Sequence, residues 1–473
     1  MATAVLGAME GAGSGPATRW RGSVAAWAVA VLGPAILLVF PRRLFGDGDT
    51  GWHLGAGEAI LRAGAIPHAD PFSFTFRGAP WTAHEWLAEI AMGGAFRLAG
   101  WSGLAALFVA VAAATLLLIG RELLRWLPAR WAAAGLFIVG CTAVPMVHAR
   151  PHMLGWLLFA GWLILLLHAR ERRSVPPWWA PAIMAAWANL HASYILGLGI
   201  AGLFTLEALI DHRRDRATAL RWVSWGLLAV AATAVTPHGL QGFLYPFQVK
   251  DMAVLAIIQE WRPTRLPDDL PFVAYASLFW VFVALRWRQL PPLRLLLLAG
   301  LFALALTHVR HQVLFGITAA LVAAPLYGRP PARLDPHWRW AATAILALCC
   351  ARLTVPWQMP DTDVYPLSLI RTLPAELRSK PVLNDYSMGG PLIMSGIAPA
   401  IDGRADMYGD PFTFAHLAMQ NGDMPRFRAF VRRWDVRWTI LTRDSVLAAR
   451  LDGEPGWRRL AATPDGVIHV RTR

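Results

Sequence analysis

The chain has 473 residues, of which 56% are hydrophobic and 16% charged, with a mean hydropathy of +0.43. Soluble domains are about a quarter charged, so this composition excludes an ordinary soluble enzyme and points to a bilayer as the solvent. The formal net charge of +14 would suggest nucleic acid in a soluble protein; here the positive-inside rule accounts for it, so no nucleic-acid partner is expected.

Apolar runs long enough to cross about 30 Å of hydrocarbon are predicted at 22–40, 101–119, 131–148, 152–168, 177–190, 194–210, 222–236, 272–286, 293–307, 311–327 and 339–356. This makes an all-α polytopic bundle of about eleven spans. The first run follows Arg19 and Arg21 and has no cleavage signal before Pro41-Arg42-Arg43, so a retained signal-anchor helix is expected. The stretch 177–210 exceeds one crossing, and its polar interruption, Asn189-Leu190-His191-Ala192-Ser193, marks the split. Cys141, Cys349 and Cys350 all fall inside apolar runs, with neither a disulfide framework nor a zinc-type spacing.

Alternate loops carry the arginines: Arg121/Arg125/Arg130, Arg170/Arg172/Arg173, Arg213/Arg214/Arg216/Arg221, Arg286/Arg288/Arg294 and Arg329/Arg333/Arg339. The bias puts the N-terminus in the cytoplasm and, after an odd number of spans, the tail outside. A bacterial inner (cytoplasmic) membrane with a periplasmic tail is the expected setting. Residues 1–356 form the predicted transmembrane domain. Its first outer loop, 41–100, has interfacial helix patches at Trp52 to Ala63 and His84 to Leu98, and a second long outer loop runs from Thr236 to Pro271. Residues 357–473 read as a small α/β domain. Its strands are expected at Pro381 to Asn384, Ala400 to Asp402, Trp438 to Thr442 and Gly466 to Arg471, and its helices at Phe412 to Met419, Pro425 to Trp434 and Ser445 to Leu451.

With this topology nine of the fourteen histidines fall at the outer face: His53, His68, His84, His148, His152, His191, His238, His308 and His311. Bundled helices bring them toward one outer cavity with Asp47, Asp49, Glu85, Arg150, Glu260, Arg262 and Arg310. Singly, such residues also serve as interfacial anchors. The segment Gly46-Asp47-Gly48-Asp49-Thr50-Gly51-Trp52-His53 places two carboxylates beside the bilayer, as a divalent-cation site or a general base at headgroup level. The plainer alternative for Asp49 is a helix cap. Histidines mixed with carboxylates also suit zinc or manganese better than an all-oxygen magnesium site.

Several short motifs resemble the C-type (GT-C fold) membrane glycosyltransferases, which include protein O-mannosyltransferases, lipid A aminoarabinose transferases and oligosaccharyltransferases. They are Asp49-x-x-Trp52-His53, Gly64-x-Ile66-Pro67-x-x-Asp70-Pro71-Phe72-Ser73, Pro80-Trp81-x-x-His84-Glu85-Trp86-Leu87, and in the tail Asn384-Asp385-Tyr386-x-x-Gly389-Gly390 with Asp402-Gly403-Arg404. The layout of a first span ending at an acidic pair, a long outer loop and an outer α/β domain resembles the same superfamily. The resemblance implies transfer of a hexosyl or pentosyl group from a polyprenyl-phosphate donor to a lipid, glycan or protein acceptor at the outer face. Asp47 and Asp49 stand where the acidic residue near the reacting centre should be. His84-Glu85-Trp86-Leu87 is similar to the Glu-Lys-Pro-Pro segment of the aminoarabinose transferases, but only Glu85 carries over, as a metal ligand.

Departure of a lipid phosphate develops negative charge that arginines stabilise. Arg310 is the first candidate, followed by Arg262 and Arg150, with a salt bridge to Glu260 or Asp49 as the structural alternative. His53, His84, Glu85, His191, Glu260, His308 and His311 are the supporting set, and Asp49, Glu85 and His308 are the candidate ligands of a divalent Zn, Mn or Mg ion. Arg404 and the glycines of the tail read first as structural turns, with acceptor contact as the alternative. The rival functions are a secondary transporter or channel, which predicts internal repeats and mid-bilayer charges, and a non-catalytic envelope-assembly scaffold.

Overall fold

The computed structural model describes residues 16–327 and 336–472, without the side chains of 16–22. Arg329 and Arg333 of the predicted cytoplasmic set lie outside the described residues. The helices of the first part are α1 (Pro16–Val39), α2 (Asp49–Ala63), α3 (Trp86–Trp126), α4 (Ala129–Ala143), α5 (His152–Glu171), α6 (Pro181–Leu190), α7 (Tyr194–Asp211), α8 (Arg216–Ala232), α9 (Gly239–Val249), α10 (Leu270–Arg286), α11 (Pro292–Thr307), α12 (Gln312–Ala323) and α13 (Trp338–Thr354). Among the described residues six helical segments are long and apolar enough to cross a membrane, and 23–39 and 292–307 are shorter apolar helices. The chain is a multi-pass membrane protein, and a helix occupies each predicted run.

Local chemistry sets the boundaries. α2 ends at Gly64, whose φ of 64° closes the helix through a hydrogen bond from its amide to the Ile60 carbonyl. α3 is two helices joined at a kink: Ala99 leaves helical geometry, and Gly100 takes φ 57°. The break separates the predicted interfacial patch from the span that begins at Trp101. The 177–210 stretch divides at His191, whose extended backbone lies between α6 and α7. Thr236 to Pro271 holds more structure than a loop, with α9 followed by 3-10 turns at Ala253–Ile257 and Gln259–Trp261.

The two ends of the bundle are less cleanly divided in charge than the sequence suggests. At the end away from the 41–100 segment, Arg125 pairs with Glu122 and Glu171 at 2.7 Å. There Arg170 and Arg294 also share Glu207, at 3.1 and 2.9 Å. These carboxylates answer arginines otherwise isolated near the bilayer.

The tail contains α14 (Leu367–Arg371), α15 (Ala375–Arg378), β1 (Val382–Asn384), α16 (Gly389–Met394), α17 (Ala405–Gln420), α18 (Met424–Trp434), β2 (Trp438–Leu441), α19 (Val446–Leu451), β3 (Trp457–Thr463) and β4 (Gly466–Arg471). The sheet order is β1-β2-β4-β3, parallel between β1 and β2 and antiparallel elsewhere. Ala400 to Asp402 is not a strand: the Asn384 side chain takes the ladder's place, accepting from the Ala400 amide at 2.8 Å and donating to the Ile401 carbonyl at 2.9 Å. β3 was not expected, because an arginine-bearing, half-exposed edge strand lacks apolar alternation.

Contacts between backbones dock this domain on the 41–100 segment. A Cβ on Gly390 would collide with the Gly48 carbonyl and lie 2.9 Å from the Trp52 amide, and one on Gly51 would lie 2.5 Å from the Gly390 carbonyl carbon. Gly48 and Gly51 therefore allow the close packing of the acidic turn and α2 against the Ser387–Gly390 segment and α16. Beside them Arg404 is buried, 2.6 Å from Asp402 and 2.8 Å from Asp70, between the rings of Phe72 and Trp81. Asp70 and Asp402 come from the two motifs singled out in the sequence, so those motifs meet as one interface. Full burial rules Arg404 out as an acceptor contact.

Candidate active site

The acidic turn is held from three sides. Asp47 accepts from the Asp49 amide at 2.9 Å, the Asp47 carbonyl accepts from the Tyr365 hydroxyl at 2.9 Å, and the Thr50 hydroxyl donates to the Ala149 carbonyl at 3.1 Å. This last bond brings up the His148-Ala149-Arg150-Pro151 segment. The Arg150 guanidinium then lies 3.1 Å from Asp47, 3.0 Å from Asp49 and 3.3 Å from Glu260. Glu260 also takes Arg310 at 3.0 Å, and the Arg310 guanidinium lies 4.6 Å from the Trp261 ring centre.

A second chain of polar groups runs away from Arg310. Its guanidinium is 3.4 Å from His191, and His191 is 3.7 Å from Glu85. Glu85 lies 3.7 Å from His84 and 3.8 Å from His53, whose other ring nitrogen is 3.3 Å from Glu89. Glu89 is buried one helical turn beyond Glu85 and was not foreseen; the i, i+4 spacing from Glu85 was the available signal.

Burial raises Asp49 to about 7, with Asp47 and Glu260 adding to the rise and Arg150 opposing it. Burial likewise raises Glu85 to about 8 against Arg150 and Arg310. Burial also pushes Glu260 up, but there Arg150 and Arg310 win and hold it well below the usual carboxylate range. His53, His84 and His191 are pushed down, mainly by burial, and are neutral at pH 7.

These groups form the polar wall of a cavity of about 480 Å³. Asp49, His84, Glu85, Arg150, His191, Glu260, Arg310 and His311 line it, joined by His152 from α5 and by Tyr386 and Asp406 from the tail. The lining also includes the apolar side chains of Met146, Trp156, Leu196, Phe247, Met252, Leu255 and Leu314. Its α9 side is pinned to the tail, where Asp410 accepts from the Ala253 and Val254 amides at 2.8 and 2.9 Å. Asp406 and Tyr386 belong to tail motifs read first as turns, and only docking brings them here.

Of the remaining expected residues, Asp47 stands behind Asp49 on Arg150, and His53 is buried behind Glu85. Arg262 is not brought to the cavity: it makes a bidentate pair with Asp269 at 2.6 and 3.0 Å, seven residues away, which satisfies it. His308 also lies off the cavity wall, edge-on to Trp261.

The expected metal set of Asp49, Glu85 and His308 therefore does not converge. Among the described residues no group of three or more His, Cys, Asp or Glu side chains is placed to hold a metal ion. The carboxylates that do converge, Asp47, Asp49 and Glu260, meet on the Arg150 guanidinium instead. Carboxylates bind a divalent ion at about 2.0–2.6 Å, a place that the guanidinium already fills, so the residues present do not fit such an ion.

No protein-family model matches the sequence, and neither does any curated protein. Solved structures do. The oligosaccharyltransferase AglB of Archaeoglobus fulgidus, in complex with an inhibitory peptide and a dolichol-phosphate, superposes with a TM-score of 0.59 at 11% identity, over 89% of this chain and 69% of that one. The apo form of the A. fulgidus oligosaccharyltransferase gives 0.52 at 11% identity over the same shares. At this identity the likeness is one of fold alone, and it agrees with the 41–100 segment, the bundle and the docked tail described above: the chain has the GT-C fold.

Proposed function

We propose that the protein is an integral-membrane glycosyltransferase that moves a sugar, a hexosyl or pentosyl group, from a polyprenyl-phosphate donor to a lipid, glycan or protein acceptor. The observation that carries this reading is a cavity whose lining joins an acid–arginine cluster to a set of apolar side chains. A lipid-phosphate sugar has the same division, with an apolar chain, one anionic phosphate and a polar ring.

In this reading the acceptor hydroxyl attacks the anomeric carbon, the bond from that carbon to the phosphate oxygen breaks, and the lipid phosphate departs with the bonding pair. Asp49 takes the acceptor proton, a role that suits a carboxyl raised to about 7. Arg310 faces the cavity with one carboxylate partner, which it shares with Arg150, and answers the charge growing on the phosphate. Asp47, His53, His84, Glu85, His191 and His311 support that wall. Arg262 and His308, satisfied elsewhere, are left out of it. The expected setting is a bacterial inner membrane with the cavity and tail on the periplasmic side, in line with the arginine-rich loops at the other end. A transporter expects its ionisable groups at mid-depth; the cavity groups here gather where the helices end.

The test is reconstitution of the purified protein in liposomes with a short-chain polyprenyl-phosphate sugar, read by mass spectrometry of acceptor products. Transfer that is abolished by Asp49→Asn and weakened by Arg310→Ala is expected. Product formation unaffected by both substitutions would sink the proposal.

A further inference from the structure

Arg150 is aimed by its backbone. The Ala149 amide donates to the Leu44 carbonyl at 2.7 Å, and the Ala149 carbonyl accepts from the Thr50 hydroxyl at 3.1 Å, so the residue before Arg150 is clamped between the end of the first span and the acidic turn. Pro151 follows and leads directly into α5. Little freedom is left, and the side chain is delivered beneath Asp47, Asp49 and Glu260. Two of those acids come from the first outer loop and the third from the second, and no other cation lies within ion-pair distance of Asp47 or Asp49 among the described contacts. Without Arg150 the two loops would bring like charges together.

We propose that Arg150 is a built-in cation standing where a divalent metal would otherwise gather these three carboxylates, so that the acidic centre assembles without a metal. Its use in catalysis rests on the glycosyltransferase reading, but its existence does not. Arg150 is thus a positioning residue that orients Asp49 and ties the second outer loop to the first through Glu260. Phosphate contact falls to Arg310. The inference has an unusual corollary: removing the guanidinium leaves three converging carboxylates around a void, which is a cation site.

The experiment uses the full chain in lipid nanodiscs, with Mn²⁺ alone as probe, followed by electron paramagnetic resonance of the free ion and by thermal unfolding. Wild type is expected to show no saturable binding up to about 1 mM, the weak end of carboxylate sites. Arg150→Ala is expected to gain one equivalent of Mn²⁺ in that range, with an unfolding temperature raised by Mn²⁺ and lowered again by EDTA. Asp49→Asn on the same background should remove the gain. One equivalent bound to wild type and lost in Asp49→Asn would overturn the proposal, as would a folded Arg150→Ala that binds none. If Arg150→Ala is recovered folded only when Mn²⁺ is present during purification, the proposal stands; if it folds in neither condition, the proposal falls. Sugar transfer plays no part in these readouts, so failure of the glycosyltransferase reading leaves them intact.

Discussion

Arg404→Ala should release the C-terminal domain from the first outer loop. The guanidinium makes two bonds to Asp402 at 2.8 and 2.6 Å and lies 2.8 Å from Asp70, and all three side chains are sealed from solvent. Removing one member of a buried ion network costs about 3–5 kcal/mol, because the carboxylates left behind lose their counter-charge out of reach of water and keep only neutral donors such as the Ser73 and Tyr408 hydroxyls. The rings of Phe72 and Trp81, 5.1 and 4.7 Å from the guanidinium carbon, add a smaller loss of about 1 kcal/mol each. At about 1.4 kcal/mol per power of ten, even the ion-network term raises the undocked fraction by about two to four powers of ten. Hydrogen exchange reads it directly, since the Phe74 amide crosses the interface to the Pro399 carbonyl at 3.2 Å. Its exchange should accelerate by that factor in Arg404→Ala and by less in Arg404→Lys, which keeps the charge but loses the fork. Exchange of the 69–78 peptide within threefold of wild type in Arg404→Ala would refute the latch.

Five further outcomes are expected. Asp49→Asn should lower kcat for sugar transfer by about 10²–10⁴, and Asp47→Asn by less, because Asp47 acts through Arg150; equal losses in the two variants would contradict the assignment. Transfer should rise with pH through about 7 as Asp49 ionises, so a rate unchanged between pH 5 and 8 argues against it as base. Stability should move the other way: Asp49 and Glu85 keep their protons in the folded state up to about 7 and 8 but lose them near 4 when unfolded, so stability falls as pH rises through that window. Thermal unfolding across pH 4 to 8 checks the sign, and Glu85→Gln should flatten the upper part of the slope. Gly390→Ala should cost about 1–3 kcal/mol by forcing α16 off α2, together with a loss of transfer as the Asp49 turn shifts; unchanged unfolding and rate would show that the close approach is dispensable. Finally, Arg310→Ala should raise the donor KM while Arg262→Ala leaves it alone, and a KM effect in Arg262→Ala would return that residue to the phosphate site.

Much of the fold was legible because a bilayer imposes one rule on every span. Apolar length located the helices, and the single polar interruption at Asn189 to Ser193 located the division between α6 and α7. The kink at Ala99–Gly100 was foreseen in effect, since the amphipathic patch and the apolar run call for different surroundings. The tail was read less well where side chains replace backbone partners. Ala400 to Asp402 reads as a strand, but the Asn384 side chain takes the place of a ladder partner there, and β3 hides because it is half-exposed. The acidic ends of the arginine networks were missed for another reason. Glu122 and Glu207 sit inside apolar helices; Glu122 meets Arg125 one turn along its own helix, and Glu207 takes its arginines from two neighbouring helices.

The arginines show where residue type stops being informative. The sequence puts Arg310 ahead of Arg262 and Arg150, yet each is a cation beside an aromatic or histidine in a predicted outer loop. Their roles separate by counting carboxylates. Arg262 has one, seven residues along the chain, and both are satisfied in a fork. Arg150 has three, and the bond to Asp47 spans 103 positions. Arg310 has one, 50 positions away and already shared, and it rests on Trp261 with its edge toward the cavity. A guanidinium held by three acids can organise a site but gains little from a fourth anion. One held by half a carboxylate gains most when a phosphate arrives. Partner count therefore separates the three within the proposed reading: Arg262 is satisfied by Asp269, Arg150 gathers three acids, and Arg310 is the one left for a donor phosphate.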